Sequence, residues 1–195
     1  MYDPATGWVT KNVALASRQD AEAVIATAAA AWPVWRDTSL ARRTQVLFRF
    51  RELLNERKHE AAEIITSEHG KVLSDALGEV TRGQEVVEFA CGLAHLLKGS
   101  LTENASTNVD VSSMRQPLGV VGVISPFNFP AMVPMWFFPV AIAAGNAVIL
   151  KPSGRIRRRR TGWPRCGRRP ACRTGCSMSC TVTRPRWTRC WKTHG

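Results

Sequence analysis

Acidic side chains are missing from the last part of this chain. Residues 154–195 contain no aspartate or glutamate, yet they hold 13 of the 27 basic residues. Residues 1–153 hold all 15 acids and the other 14 basic residues, so their net charge is −1. The overall charge of +12 therefore comes from one end. This distribution excludes a uniformly basic protein of the kind that binds nucleic acid over its whole surface.

Cysteine is also scarce in the first part, where Cys91 stands alone, while five cysteines follow in residues 154–195. No charged segment followed by an apolar segment opens the chain, so we expect a cytoplasmic protein without a disulfide framework. One apolar run, Ala131 to Leu150, has the length of a membrane span. Two prolines, a glycine and an asparagine interrupt it, which favours a buried helix followed by a buried strand.

Helical periodicity covers much of the first hundred residues. The hydroxyls of Ser17 and Ser39 are suited to accept hydrogen bonds from the free N–H groups of a first helical turn, with Asp20 three residues after Ser17. Pro33 is expected to end the first helix. The apolar spacing predicts a strand over residues 11–16 and helices over 17–31, 40–67 and 72–97.

Strand signals dominate the following segment. The spacing predicts strands over residues 108–114, 120–124 and 147–150, and a buried helix over 133–144. A strand, a crossover helix and a second strand form a unit with parallel strands, and ligands bind at the carboxyl ends of such strands. The loops at residues 125–130 and 151–153 fall at those ends. No G-x-G-x-x-G motif is present in the chain.

The first of these loops carries a recognisable motif. It reads Ser125-Pro126-Phe127-Asn128-Phe129-Pro130, after Gln116-Pro117-Leu118-Gly119 and before Ala143-Ala144-Gly145-Asn146 and Lys151-Pro152-Ser153. These segments resemble the NAD(P)-dependent aldehyde dehydrogenase superfamily, whose Pro-Trp-Asn-Phe-Pro motif has Phe127 here in place of tryptophan. That variant, with Met132–Trp136 after it and Glu68-His69-Gly70-Lys71 before it, is similar to the methylmalonate-semialdehyde dehydrogenase branch.

The resemblance covers nearly all of residues 2–153 and implies an α/β fold. Residues 1–153 would form part of the family's N-terminal and NAD-binding region, an incomplete Rossmann-like parallel sheet preceded by helices. In the family, a cysteine thiolate attacks an aldehyde, the resulting oxyanion passes a hydride to NAD, and water or coenzyme A cleaves the thioester. The nucleophilic cysteine and the general-base glutamate belong to the family's second half, which this chain lacks.

The resemblance also assigns roles to individual residues. Asn128 would donate to the oxyanion, and Ile124, Ser125, Pro126 and Phe127 would line the cofactor. Lys151 would hydrogen-bond the adenosine ribose, although Gly154 replaces a glutamate that usually adds a second ribose contact. From the residues alone, Asn128 bonded to its own loop and Lys151 as a solvated strand end remain alternatives.

Arg82 is the candidate for recognising the substrate. A semialdehyde acid needs a cation opposite its free carboxylate, and arginine can bind it by two hydrogen bonds. The alternative is surface pairing with Glu79 or Glu85. Cys91 is interpreted as a small buried apolar residue. The family resemblance further implies a homo-oligomer that joins through residues 108–114, without a membrane or specific nucleic-acid partner.

Residues 154–195 show no apolar periodicity and do not resemble the family. The segment can instead be tested as a neighbouring reading frame of the gene. Each shifted codon then takes its first base from the wobble position of one codon and its other two bases from the next codon. Only that first base can be chosen freely. Residues 176–184 then give V-F-N-V-V-H-G-D-K, and joined to Lys151-Pro152-Ser153 the shifted reading resembles the family's own continuation. We therefore expect a one-base slip near Gly154 and a disordered, non-native segment after it.

The rival hypothesis gives residues 154–195 a function of their own. Arg157–Arg160 and three tryptophans offer charge and stacking for nucleic acid, and Cys172, Cys176 and Cys180 with His194 offer metal ligands. The chain would then be a basic interaction protein built on a dehydrogenase fragment.

Overall fold

The structure, a computed structural model, describes residues 3–9 and 16–153. The strand predicted over residues 11–16 lies outside the described residues except for Ala16. The predicted irregular structure of residues 154–195 and their candidate metal ligands also lie outside them.

The first helix, α1, spans Arg18–Arg36 and begins as predicted. Ser17 Oγ accepts from the Asp20 N–H at 3.2 Å, and the Asp20 carboxylate accepts from the Ser17 N–H at 2.9 Å. The prediction that Pro33 ends this helix is wrong. A proline loses only its own donor, and its carbonyl still accepts from the Asp37 N–H at 3.1 Å, so the last turn closes.

Two helices replace the single long one predicted after Ser39. They are α2, Leu40–Glu56, and α3, Lys58–His69, and the chain leaves helical geometry at Arg57 with φ −111° and ψ 20°. Periodicity does not reveal this break because apolar positions on both sides of it are buried. Ser39 caps α2 as predicted by accepting from the Arg42 N–H at 3.4 Å.

The fourth helix, α4, spans Leu73–Cys91 and is shorter than predicted. The Gly92 N–H donates to the Phe89 carbonyl at 3.1 Å, a bond three residues back that tightens and ends the helix. A short 3-10 helix, Leu93–His95, follows it.

An antiparallel hairpin precedes the parallel strands. Its second strand, β2, Val109–Ser112, confirms the strand predicted there, and it pairs with β1, Leu101–Ser106, which was not predicted. Polar residues dominate β1, so it shows no apolar alternation. Both strands are exposed along their whole length.

The predicted strand, helix and strand unit is confirmed. It consists of β3, Val120–Ile124, the crossover helix α5, Met132–Ala143, and β4, Ala147–Lys151, and the two strands are parallel. The prediction that β3 is buried is wrong for most of it, since Val123 is its only buried residue. Within the described residues β3 pairs with β4 alone, which leaves much of it uncovered.

Helix α5 packs on α2, α4 and both parallel strands, and α1 packs directly on β3 and β4. No charged residue occurs in it, and it packs most extensively on α4. The core residues include Trp35, Leu47, Phe50, Ile65, Val80, Val87, Met135, Phe138 and Val148. In the part of the chain that the structure describes, no helix combines the length and apolarity needed to cross a bilayer.

Side chains from α1 and α2 add hydrogen bonds to carbonyl groups at the end of α5 and just after it. The Trp35 indole donates to the Ile142 carbonyl at 3.0 Å, and the Trp32 indole donates to Gly145 at 3.1 Å. The Arg43 guanidinium donates to the Ala143 carbonyl at 3.1 Å. Gly145 has φ +95°, and a β-carbon there would collide with Arg43, so the turn into β4 requires glycine.

Candidate active site

The carboxyl ends of β3 and β4 meet at one edge of the parallel sheet. Ile124 lies opposite Lys151 in the strand register, and the Ser125 N–H donates to the Lys151 carbonyl at 3.1 Å. The sequence therefore correctly placed these three predicted cofactor residues together. Ser125 is buried, whereas the Ile124 side chain is 75% exposed.

The Lys151 side chain is exposed at the end of β4. Within residues 3–9 and 16–153 it forms no ion pair and no side-chain hydrogen bond. An unpaired ammonium at this edge suits both a ribose contact and a solvated strand end, so both interpretations remain open.

The Phe127 ring is half-buried, although Pro126 before it is exposed. Phe127 stacks on the imidazole of His69, with ring centroids 4.5 Å apart and an angle of 24° between the planes. Burial, together with the positive charge of Lys71, lowers the pKa of His69 below its ordinary value of 6.5, while Glu79 and Asp75 oppose this shift. The ring that faces Phe127 is therefore neutral at pH 7.

The Asn128 side chain is exposed, and it forms no hydrogen bond with the described residues of its own loop. Its backbone carbonyl accepts from the Lys71 ammonium at 3.1 Å, but its side-chain amide has no hydrogen-bond partner among the described residues. The alternative that the amide holds the loop together is therefore wrong for this part of the chain. The amide is free to donate to a ligand.

Sequence reasoning missed a buried ion pair beneath this loop. The Glu79 carboxylate accepts from the Lys71 ammonium at 2.9 Å and from the backbone N–H groups of Ala131 and Met132 at 2.5 and 3.1 Å. It thus caps the start of α5, where the positive end of the helix dipole favours a negative charge. The sequence marks Lys71 only as part of a motif typical of the family branch, and it offers Glu79 only as a surface partner of Arg82.

Arg82 lies on α4, three residues after Glu79, and is exposed. It forms no ion pair with Glu79 or Glu85 in the described region, where Glu79 pairs with Lys71 instead. The surface-pairing alternative is therefore not found. The adjacent Gly83 packs so closely against Met135 of α5 that a β-carbon on Gly83 would collide with the Met135 side chain.

Cys91 is the single cysteine among the described residues. It is 8% exposed, and burial raises the pKa of its thiol, which disfavours the reactive thiolate. Its interpretation as a small buried apolar residue is confirmed. The described residues also contain no cluster of three histidine, cysteine or acidic side chains that could hold a metal ion.

The sequence profile of the aldehyde dehydrogenase family matches residues 1–156, and the chain belongs to that family. Its fold is an N-terminal part of the aldehyde dehydrogenase fold. Over 155 residues the chain is 48% identical to malonate-semialdehyde dehydrogenase of Pseudomonas aeruginosa, covering 80% of this chain and 31% of that protein. It is 44% identical over 156 residues to the human mitochondrial acylating methylmalonate-semialdehyde/malonate-semialdehyde dehydrogenase, covering 80% and 29%.

A solved structure agrees with these relatives. It is a Sinorhizobium meliloti protein in complex with NAD, described as a methylmalonate-semialdehyde dehydrogenase, with 50% identity and a TM-score of 0.77. The match covers 80% of this chain and 32% of the other. The chain thus spans about a third of the length of the relatives that it matches.

Proposed function

We propose that this chain is the amino-terminal part of an NAD-dependent dehydrogenase that oxidises malonate or methylmalonate semialdehyde to an acyl-CoA. The observation that carries the proposal is the exposed amide of Asn128 at the carboxyl edge of β3 and β4, which has no hydrogen-bond partner in residues 3–9 and 16–153. The names of the relatives support the substrate class, and the human protein's name describes it as acylating. The NAD complex of the Sinorhizobium protein supports the cofactor.

The residues at this edge fit a dinucleotide cofactor. Ile124 offers an exposed apolar side chain, and the Lys151 ammonium is available to donate to ribose hydroxyls. The backbone from Ser125 to Phe127 is fixed by the β-sheet on one side and by His69 on the other. When bound, NAD supplies a hydride acceptor.

Asn128 acts on the aldehyde. Its amide N–H donates to the carbonyl oxygen of the substrate, and the bond strengthens as a thiolate adds and negative charge develops on that oxygen. In this proposal the thiolate belongs to the family's second half, since Cys91, the one cysteine among the described residues, is buried at the end of α4. Coenzyme A is the proposed acyl acceptor.

Arg82 recognises the far end of the substrate in this proposal. Its exposed guanidinium has no ion-pair partner among the described residues and can bind a carboxylate by two hydrogen bonds. The proposal includes a cytoplasmic location and a homo-oligomer, and the exposed hairpin of β1 and β2 supports the oligomer.

We also propose that the reading frame slips by one base near Gly154, so that residues 154–195 are not the family's own sequence. The end of the family match at residue 156 supports this. Sequencing the gene across codon 154 in independent clones tests it. A one-base difference that restores the family frame is expected, and an unbroken frame under selection for the basic segment would favour the rival interaction protein.

The functional test uses the protein with the frame restored after Ser153. Asn128→Ala is expected to lower kcat by about 100- to 1000-fold with malonate semialdehyde, NAD and coenzyme A. Asn55→Ala, in an exposed residue of α2, is the matched control and should leave kcat unchanged. A restored enzyme in which Asn128→Ala has no larger effect than Asn55→Ala would contradict the proposal.

A further inference from the structure

Lys71 connects the start of α4 to the loop that carries Asn128. Its ammonium donates to the Asn128 carbonyl at 3.1 Å and to the Glu79 carboxylate at 2.9 Å, and it lies 4.6 Å from the ring centroid of Phe129. Gly70, at the end of α3 with φ +84°, allows the turn that brings Lys71 to this place. A single cation therefore contacts the loop at the Asn128 carbonyl and at the next residue, Phe129.

Glu79 connects the same cation to the helix that follows the loop. Its Oε2 binds Lys71, and its Oε1 accepts from the N–H groups of Ala131 and Met132. The segment from Asn128 to Met132 is thus bound at its two ends by one ion pair. Each end of the segment is held by a hydrogen bond in which one partner is charged, and such bonds are the stronger kind.

Water has little access to this pair. The Lys71 side chain is 8% exposed and the Glu79 side chain is 0% exposed. A buried charge that loses its partner is strongly unfavourable, so the two side chains hold one arrangement. The Asn128 amide has no hydrogen-bond partner among the described residues, so the pair holds only the backbone from which this side chain extends.

We propose that Lys71 and Glu79 are positioning residues that fix the Asn128 backbone and so keep its amide within reach of the substrate oxygen. Through Lys71, the short segment between α3 and α4 helps to position the oxyanion donor. This inference rests on the role proposed for Asn128. An oxyanion donor is effective only when it is held in place before the reaction.

The first experiment uses the 195-residue chain itself and measures backbone hydrogen exchange. Lys71→Met is expected to speed exchange of the Ala131 and Met132 N–H groups by about tenfold or more, while residues 147–150 of β4 serve as the internal reference. Asp75→Asn is the matched control, because Asp75 contacts the same ammonium at 3.3 Å but is 58% exposed and does not touch the loop. Equal exchange in the variant and the wild type would overturn the proposal.

A second variant covers the case in which Lys71→Met does not fold. Lys71→Met combined with Glu79→Gln leaves no unpaired buried charge, and the glutamine oxygen can still accept from the start of α5. Faster exchange confined to the segment around Asn128 is expected in this double variant. Unchanged exchange there would refute the positioning role.

The second experiment is a double-mutant cycle in the frame-restored enzyme. Lys71→Met is expected to lower kcat by about 10- to 100-fold and to leave the KM for NAD within about threefold. In an Asn128→Ala background the same change should cost less than about twofold, because the group that Lys71 positions is gone. A merely structural role would give the same loss in both backgrounds and would overturn the proposal.

The two results separate this inference from the proposed function. If Asn128→Ala alone leaves kcat unchanged, the role of Asn128 in the proposed function fails, and the positioning role fails with it. If Asn128→Ala is strongly impaired but Lys71→Met is not, only the positioning role fails.

Discussion

Arg82 is the residue whose role in substrate choice is most open to measurement. In the frame-restored enzyme, Arg82→Ala is expected to raise the KM for a carboxylated semialdehyde by about 10- to 150-fold, the effect of losing a charged hydrogen bond. The KM for a neutral aldehyde of similar size should change little. Arg49→Ala, in another exposed arginine, is the control. Equal effects of Arg82→Ala on both substrates would return Arg82 to an ordinary surface role.

His69 predicts a pH dependence of stability. Because its pKa is lowered in the folded chain, the unfolded chain takes up the proton more readily as the pH falls below 6.5. The stability from neutral His69 is complete above pH 6.5 and is lost as the pH falls towards the lowered pKa. The free energy of unfolding in urea should therefore be smaller at about pH 5.5 than at about pH 7.5.

A variant isolates this contribution. His69→Phe keeps a ring against Phe127 but cannot titrate, so it should reduce the difference between the two pH values. His59→Gln, in an exposed residue of α3, should leave the difference as it is in the wild type. If both variants behave alike, the pH dependence does not come from His69.

The sequence identified site residues through the motif and missed those that act through burial. The family motif points to Asn128 and Lys151, and the spacing places one after β3 and the other at the end of β4. Glu79 could not be predicted, since its helix carries several exposed acids and nothing in the spacing shows that Glu79 alone faces the start of α5. That contact joins residues 52 positions apart.

At the scale of elements, the caps at the end of α5 are expected to stabilise the whole core. Trp35→Phe removes one donor to the buried Ile142 carbonyl, which keeps the Gly145 N–H at 3.0 Å, and should lower the free energy of unfolding by about 0.5–1.5 kcal/mol. Trp32→Phe removes a similar donor at a half-buried place where water can replace it, so its cost should be smaller. Urea unfolding of both variants tests this, and equal losses would contradict it.

Element types could be predicted well from the sequence, and their ends and burial less well. The capping serines placed the starts of α1 and α2, and the parallel order of β3 and β4 followed from the helix between them. The end predicted for α1 at Pro33 is wrong because a helix tolerates the loss of one N–H donor near its end. The break at Arg57 and the strand β1 carry no periodicity signal, so tertiary structure alone reveals them.

At the scale of the whole molecule, the hairpin predicts self-association. Val109 and Val111 on β2 are 48% and 53% exposed, and an exposed apolar edge strand pairs readily with another chain. The 195-residue chain should therefore sediment as species larger than its 21.6 kDa monomer at about tens of micromolar.

Two lysine variants test this edge. Val111→Lys should shift the chain towards the monomer, because an edge lysine opposes strand pairing. Val34→Lys, at a residue of α1 that is also 53% exposed, should sediment like the wild type. A well-behaved wild-type monomer would refute the prediction.

The chain as written is expected to have no dehydrogenase activity. The one thiol in its described part is buried, and burial disfavours its thiolate form. No nucleophile in that part can therefore add to an aldehyde whose oxygen Asn128 binds. The purified 195-residue protein should neither reduce NAD with semialdehydes nor bind it at about millimolar concentration. Turnover that Asn128→Ala abolishes would overturn this expectation.

The caps of α5 also have a consequence for synthesis on the ribosome. The donors from Trp32, Trp35 and Arg43 precede their acceptors by 113, 107 and 100 residues, so all three are made long before α5 emerges. A nascent chain therefore holds the amino-terminal helices without the apolar helix that fills their core. Until α5 arrives, those helices expose the surfaces that will bury it, and this interval is when the growing chain most needs a chaperone.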